Sequence, residues 1–328
     1  MTICGRDDLL ALDSTVTRIT VSNNCGNEES LDVLDFSRFT YLRELIVGDE
    51  SYENVNQINL VGLDYLRKVE IGDRSFTEKS GSLIITNCRS LKELTIGNHS
   101  FKNYTSIEIA NATLLETLTI EASCFLYGNE LRLDGLSGLR SVVIGTNSFS
   151  SRNGDLYVKN CPLLRELKIS SNAMSVFKLF EIESVPLLES LEIGDNCFSN
   201  VGIFSLNGLA GLLTVVIGVN SFTNQKNSYG QDTYRHFYLR NCPKVKSLRI
   251  SRYSFSDYPY CVIESVPSLE LIQIGELNLD SKNFYYSSLS LYRCASDHLI
   301  TTRITQSEEC GFWGFIVLPL LQYFLPEF

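Results

Sequence analysis

One phrase, L-x-x-L-x-I-G-x-x-S-F, returns through the chain at a nearly constant interval, and that period leaves few folds open. It is clearest at Leu91-Lys-Glu-Leu94-Thr-Ile96-Gly97-Asn-His-Ser100-Phe101, and Leu188–Phe198 and Leu212–Phe222 repeat it with small changes. Its closing Ile, once Val, falls at Val47, Ile71, Ile96, Ile120, Ile144, Ile169, Ile193, Ile217, Ile250 and Ile274. Only the step from Ile217 to Ile250 is visibly longer than the others. A fixed period of this order marks a solenoid, each unit one coil stacked on the next.

Within each unit a second phrase precedes the first, as in Leu83-Ile84-Ile85, Cys88, Leu91 and Leu131-Arg132-Leu133, Leu136, Leu139. Alternation in Leu94-Thr95-Ile96 and in Phe180-Glu181-Ile182 has period two, which predicts two short half-buried strands per coil. Gly97 and its equivalents are expected in a turn that needs positive φ. Phe76, Phe101, Phe125, Phe149, Phe198, Phe222 and Phe255 recur at one position, predicting a stacked aromatic spine with Tyr52, Met174 and Leu279 as substitutes. Asn147, Asn172, Asn196 and Asn220 lie two positions earlier and are expected to form a buried ladder bonding the neighbouring coil.

Leu212–Phe222, read as L-x-x-V-x-I-x-x-N-x-F, resembles the conserved segment of leucine-rich repeats. The fuller form C-x-x-L-x-x-L-x-I, at Cys88–Ile96 and Cys161–Ile169, is similar to the BspA-like repeats of microbial and protist surface proteins. This chain carries Gly where such units usually have Pro, and they place their I-G-x-x-A-F phrase differently. The resemblance covers about residues 16–292. It implies a mainly β, right-handed leucine-rich-repeat solenoid of about 11–12 coils, with short strands on concave and opposite faces. Residues 1–30 would hold the amino-terminal cap and first coil, 31–296 the array, and 297–328 a carboxyl-terminal cap or apolar tail.

A larger period contains the smaller one. Leu60-Val-Gly-Leu63, Leu133-Asp-Gly-Leu136 and Leu206-Asn-Gly-Leu209 are evenly spaced and three coils apart, which marks three-coil blocks at 60–132, 133–205 and 206–286. Asn160-Cys161 and Glu183-Ser-Val-Pro186 recur later than that spacing predicts, at Asn241-Cys242 and Glu264-Ser-Val-Pro267. The third block has therefore gained a short segment, near Asn224–Tyr234. This polar segment is expected to bulge out as a tolerated insertion, with a binding loop as the alternative.

The unbroken repeat predicts one elongated domain. A net charge of −10 argues against nucleic acid or an anionic membrane as the main partner. Cys88, Cys161, Cys242 and Cys294 fill places held elsewhere by Leu or Val, so they read as small core residues. A terminal disulfide, Cys4 with Cys25 or Cys294 with Cys310, is an alternative. No Cys-x-x-Cys suggests zinc. The start, Met1-Thr-Ile-Cys-Gly-Arg-Asp-Asp, lacks a secretory pattern. A cytoplasmic protein is expected, or a cell-surface one if the chain is a fragment; the sequons at Asn98, Asn103 and Asn111 read as chance. The apolar run from Gly311 is short for a span and broken by Pro319. It is expected to cap the solenoid end, with membrane association the alternative.

No motif for catalysis or phosphate binding is found, and His99, His236 and His298 lie in different coils. No enzyme and no cofactor or metal are expected. The outward residue of each main strand runs Ile46, Glu70, Thr95, Thr119, Val143, Lys168, Glu192, Val216, Arg249, Gln273. This mixed row on the concave face, centred on Thr119 to Arg249, suits a protein or peptide partner. Tyr157 and Tyr238 would be exposed opposite it. The expected function is a non-catalytic binding scaffold. A surface adhesin or antigen, or a recognition fragment of a larger receptor or enzyme, is the alternative.

Overall fold

The computed structural model describes residues 1–224, 233–275, 281–284, 288–292, 294 and 302–304. The chain is a parallel β-solenoid with almost no helix, divided into two compact units, Met1–Val185 and Pro186–Phe328. In the first unit, strands Arg18–Val21, Glu44–Val47, Lys68–Ile71, Glu93–Ile96, Thr117–Ile120, Ser141–Ile144 and Glu166–Ile169 pair in parallel, in chain order. The register is one residue per coil: Leu45 faces Val69, then Leu94, Leu118, Val142 and Leu167. In the second unit, Ser190–Ile193, Thr214–Ile217, Ser247–Ile250, Leu271–Ile274 and Thr302–Ile304 repeat the pattern.

A second set of strands, mostly one residue longer, alternates with these. In the first unit it forms two sheets: Val33–Asp35, Gln57–Val61, Ser82–Thr86 and Ser106–Ala110, and then Glu130–Asp134, Asp155–Lys159 and Leu179–Glu183. Among the described residues no ladder joins Ser106–Ala110 to Glu130–Asp134. The second unit has Ile203–Asn207, His236–Arg240, Tyr260–Glu264 and Ser288–Tyr292. Both strand types bury alternate residues, so Leu94 and Ile96 are covered while Glu93 is exposed. Between the faces lies a core of Leu, Ile, Val and Phe.

Each coil turns on a pair of left-handed residues, for example Asn147 (φ 62°) and Phe149 (φ 55°), or Asn196 (φ 55°) and Phe198 (φ 58°). The spine phenylalanines therefore sit in a conformation that costs a side-chain-bearing residue about 1–2 kcal/mol. Full burial of a phenylalanine returns about 1.5–3 kcal/mol, and ring contacts add about 0.5–1.5 kcal/mol. Burial wins. Phe76 stacks on Phe101 at 4.6 Å, Phe101 on Phe125 and Phe125 on Phe149 at 5.2 Å. In the second unit Phe198, Phe222 and Phe255 stack at 5.2 and 4.8 Å, and Phe284 follows at 5.3 Å. Tyr52 and Met174 fill spine places as expected; Leu279 lies outside the described residues.

Two local expectations are corrected. The asparagines are not a buried ladder: Asn147 and Asn196 are exposed, Asn172 and Asn220 half-buried, all at positive φ, although Asn220 Nδ2 does reach the neighbouring coil, donating to Asn196 Oδ1 at 2.8 Å. The buried ladder belongs to the next residue. Ser51 N–H donates to Ser75 Oγ at 3.2 Å and Ser75 N–H to Ser100 Oγ at 3.0 Å. Each hydroxyl in turn donates to a neighbouring coil, Ser75 to Gly48 O at 2.9 Å and Ser100 to Gly72 O at 2.7 Å. Cys124 takes the same place, its thiol reaching Gly97 O at 3.1 Å. Gly97 does not have positive φ either, although its equivalent Gly275 does, at φ 79°. A Cβ at Gly97 would stand 2.7 Å from the Gly72 carbonyl carbon, so close approach of coils favours glycine. Positive φ is needed instead at Gly62 and Gly135, where other coils use Asn87, Asn111 or Asn160.

At the amino-terminal edge Thr2–Ile3 extends the sheet beside Thr20–Val21, helix Arg6–Ala11 follows, and Cys4 is bonded to Cys25. Cys88, Cys161 and Cys242 are free and buried and Cys294 is half-buried; Cys310 lies outside the described residues. So do most of the 224–234 insertion and of the 297–328 segment.

Candidate functional site

The outward row follows from strand alternation, because neighbours in the row are neighbours in register. In the first unit Ile46, Glu70, Thr95, Thr119, Val143 and Lys168 face one another across successive strands, and all are half-buried. In the second unit Glu192, Val216, Arg249 and Gln273 do the same. There Val216 is 36% exposed, Arg249 and Gln273 are exposed and Glu192 is half-buried. The companion positions Ser190, Thr214 and Ser247 are short, and Thr214 Oγ1 donates to Ser190 Oγ at 3.3 Å. Val216 and Arg249 thus rise from a floor of small hydroxyls held by backbone ladders.

Charges on the first unit's face are partly paired within it. Lys68 Nζ lies 2.9 Å from Glu70 Oε2, and that hydrogen bond raises the lysine pKa. Arg18 meets Glu44 at 3.2 Å.

The opposite-face tyrosines have their rings covered. Arg132 lies 3.9 Å above the Tyr157 ring and Lys159 is 5.6 Å away. These cations pair with Glu130 and Glu181, whose hydrogen bonds raise both their pKa values. In the second unit Arg240 covers Tyr238 at 4.1 Å, and His236 stacks on Tyr238 at 5.6 Å and on Tyr260 at 4.8 Å. The spine phenylalanines are buried and form no part of either exposed face.

Among the described residues no three His, Cys, Asp or Glu side chains cluster as a metal site. No described helix is long and apolar enough to cross a membrane. His99 is exposed at a left-handed turn position, and His298 lies outside the described residues. A cleft of about 440 Å³ beside the short helix is lined by Arg6, Leu9, Leu10, Val33 and Arg38. The Arg38 guanidinium donates to the carbonyls of Leu9 and Leu10, so it closes the helix end.

The buried thiols are poorly disposed to chemistry. Burial pushes Cys88 and Cys161 up to about 11 and Cys124 to about 12, and raises Cys242 and Cys261 as well. A thiol held protonated in apolar surroundings is a weak nucleophile.

Comparison with protein-family models, curated proteins and solved structures returns no match.

Proposed function

We propose that the chain is a non-catalytic scaffold of leucine-rich-repeat type that binds a protein or peptide across the outward row of its four-residue strands. The observation that carries this reading is Val216, 36% exposed and in register between Glu192 and Arg249. An exposed valine flanked by opposite charges on a laddered sheet offers an apolar centre and a polar rim, as protein interfaces do. The backbone beneath is fixed, so binding orders little of the scaffold. The equivalent row of the first unit, from Thr119 through Val143 to Lys168, has the same mixed chemistry. Cytoplasm and cell surface both suit this reading, and the Cys4–Cys25 disulfide favours the oxidising surroundings of the surface.

The test compares the wild-type chain with a variant in which Lys168, Val216 and Arg249 are all replaced by Ser. Affinity capture from the source cells, with circular dichroism as the folding control, is expected to lose one partner selectively. Identical partner sets from both proteins would refute recognition by this row.

A further inference from the structure

Three Asn-x-Ser/Thr triplets lie close together in the first unit, beginning at Asn98, Asn103 and Asn111. Such a triplet accepts N-linked sugar when it stands on the surface of an exported protein. The fold separates the three, because a glycan takes one of the two amide hydrogens of its asparagine and needs open space beside it.

Asn98 is half-buried and held from both sides. Its Nδ2 donates to Asp73 Oδ1 at 3.2 Å, and its Oδ1 accepts the Ala122 N–H, also at 3.2 Å. The Ser100 hydroxyl that completes its triplet is buried in the serine ladder, where it donates to Gly72 O. Asn103 is half-buried too, and its Nδ2 donates to Thr77 O at 2.8 Å and to Glu78 O at 3.1 Å. A sugar on either amide would displace bonds that tie one coil to the next.

Asn111 differs in each respect. It is exposed at the turn after strand Ser106–Ala110, with φ 56°, and Thr113 is exposed as well. Ala112 between them is buried and anchors the turn. Asn111 Nδ2 donates once, to Asn87 Oδ1 at 2.9 Å, and its second hydrogen has no acceptor among the described residues. On its other side the following coil carries Gly135 at the same place, where an added Cβ would meet nothing within 4 Å. The amide thus has a hydrogen to give up and clear space beside it. The disulfide between Cys4 and Cys25 is an independent sign of export, because such bonds form and persist in oxidising compartments.

We propose that Asn111 is an N-glycosylation site. The donor is a lipid-linked oligosaccharide diphosphate. The bond from sugar C1 to the diphosphate oxygen breaks and C1 bonds to Nδ2. The lipid diphosphate leaves with the electron pair, and one Nδ2 proton passes to a base of the transferase. The remaining N–H is as many as the bond to Asn87 uses. Asn111 follows a five-residue strand, whereas the outward row lies on the four-residue strands, so the proposal does not depend on what that row binds.

The test is peptide mass spectrometry of the full chain recovered from its source cells, before and after peptide N-glycosidase F in heavy-oxygen water. Trypsin releases 93–102, which contains Asn98, and 103–132, which contains Asn103 and Asn111. Before the enzyme, 103–132 is expected at a mass raised by a glycan. After it, fragment ions are expected to place heavy aspartate at Asn111, with Asn98 and Asn103 unlabelled. Thr113→Ala is expected to abolish the label without touching Asn111 or the buried core, and Thr113→Ser to retain it. The proposal is overturned by recovery of 103–132 only at its unmodified mass, by a label that survives Thr113→Ala, or by sugar at Asn98 or Asn103 in place of Asn111.

Discussion

Arg235 and Asp257 form an ion pair almost wholly withdrawn from water, 3.4 Å apart with side chains 5% and 3% exposed. Arg235 also donates to Ser199 O at 2.8 Å and Phe222 O at 3.1 Å, and lies 4.8 Å over the Tyr258 ring. Asp257 accepts the Asn224 N–H at 3.1 Å. One carboxylate therefore holds both ends of the segment that lengthens this coil, so the extra residues leave the packed spine undisturbed.

Removing one partner strands a buried charge. Asp257→Ala is expected to lower stability by about 3–5 kcal/mol. Replacing Arg235 and Asp257 together by Met and Leu is expected to cost much less. Urea unfolding measures both; equal losses would mean that the charges are not coupled.

Phe149 stacks on Phe125 at 5.2 Å and meets Phe177 edge-on at 6.2 Å, all three buried. Phe149→Ala opens a cavity among them and is expected to cost about 3–5 kcal/mol. A loss under about 1 kcal/mol would show that the neighbouring rings collapse into the space.

The exposed Asn147 has φ 62°, so its value lies in the backbone conformation it tolerates. Asn147→Gly is expected to be neutral or slightly stabilising, and Asn147→Ala to cost about 1 kcal/mol. If Gly proved as costly as Ala in thermal unfolding, the amide side chain would be the stabilising group instead.

Alkaline pH should act through the buried thiols. Their folded pKa values are raised by burial, to about 11 for Cys88 and Cys161 and about 12 for Cys124. The folded state thus holds protons that the unfolded chain releases near its ordinary thiol pKa. The stabilisation is fully present below that value and is lost as pH rises toward 11 and 12, by up to about 1.4 kcal/mol per pH unit for each thiol. Unfolding curves from pH 8 to 11 should show the decline, and Cys161→Ala should make it shallower. An unchanged slope would remove that thiol from the account.

Periodicity made the spine and both strand types legible, because alternation and recurrence report burial directly. It did not single out Phe284, which stacks on Phe255, because the spacing changes after Ile274. Recurrence misled on the burial of Asn147 and its equivalents, since a repeated asparagine fits a buried ladder or a tolerated left-handed turn equally well. The distinguishing signal was present: Glu50, Arg74 and Ser123 hold the same place at positive φ, and what they share with the asparagines is a backbone N–H that donates to the next coil, as Glu50 does to Asp73 O and Asn147 to Ser171 O. Ser51, Ser75 and Ser100 stood in the repeated phrase, yet their ladder went unread because serine suits exposed turns as well. The outward row was readable as a face. What it meets was not, because the residues there, such as Val143, Lys168 and Val216, vary independently of the repeat.

The bond between Cys4 and Cys25 has a directional consequence. Stacked coils peel from an edge, and in the first unit that edge is Thr2–Ile3, beside Arg18–Val21. A covalent clasp there means that an unfoldase pulling on the amino terminus meets a closed loop instead of a loose end. Reduction opens the clasp. Susceptibility to threading from that side would then follow the redox state of the surroundings, with the rest of the array unaltered.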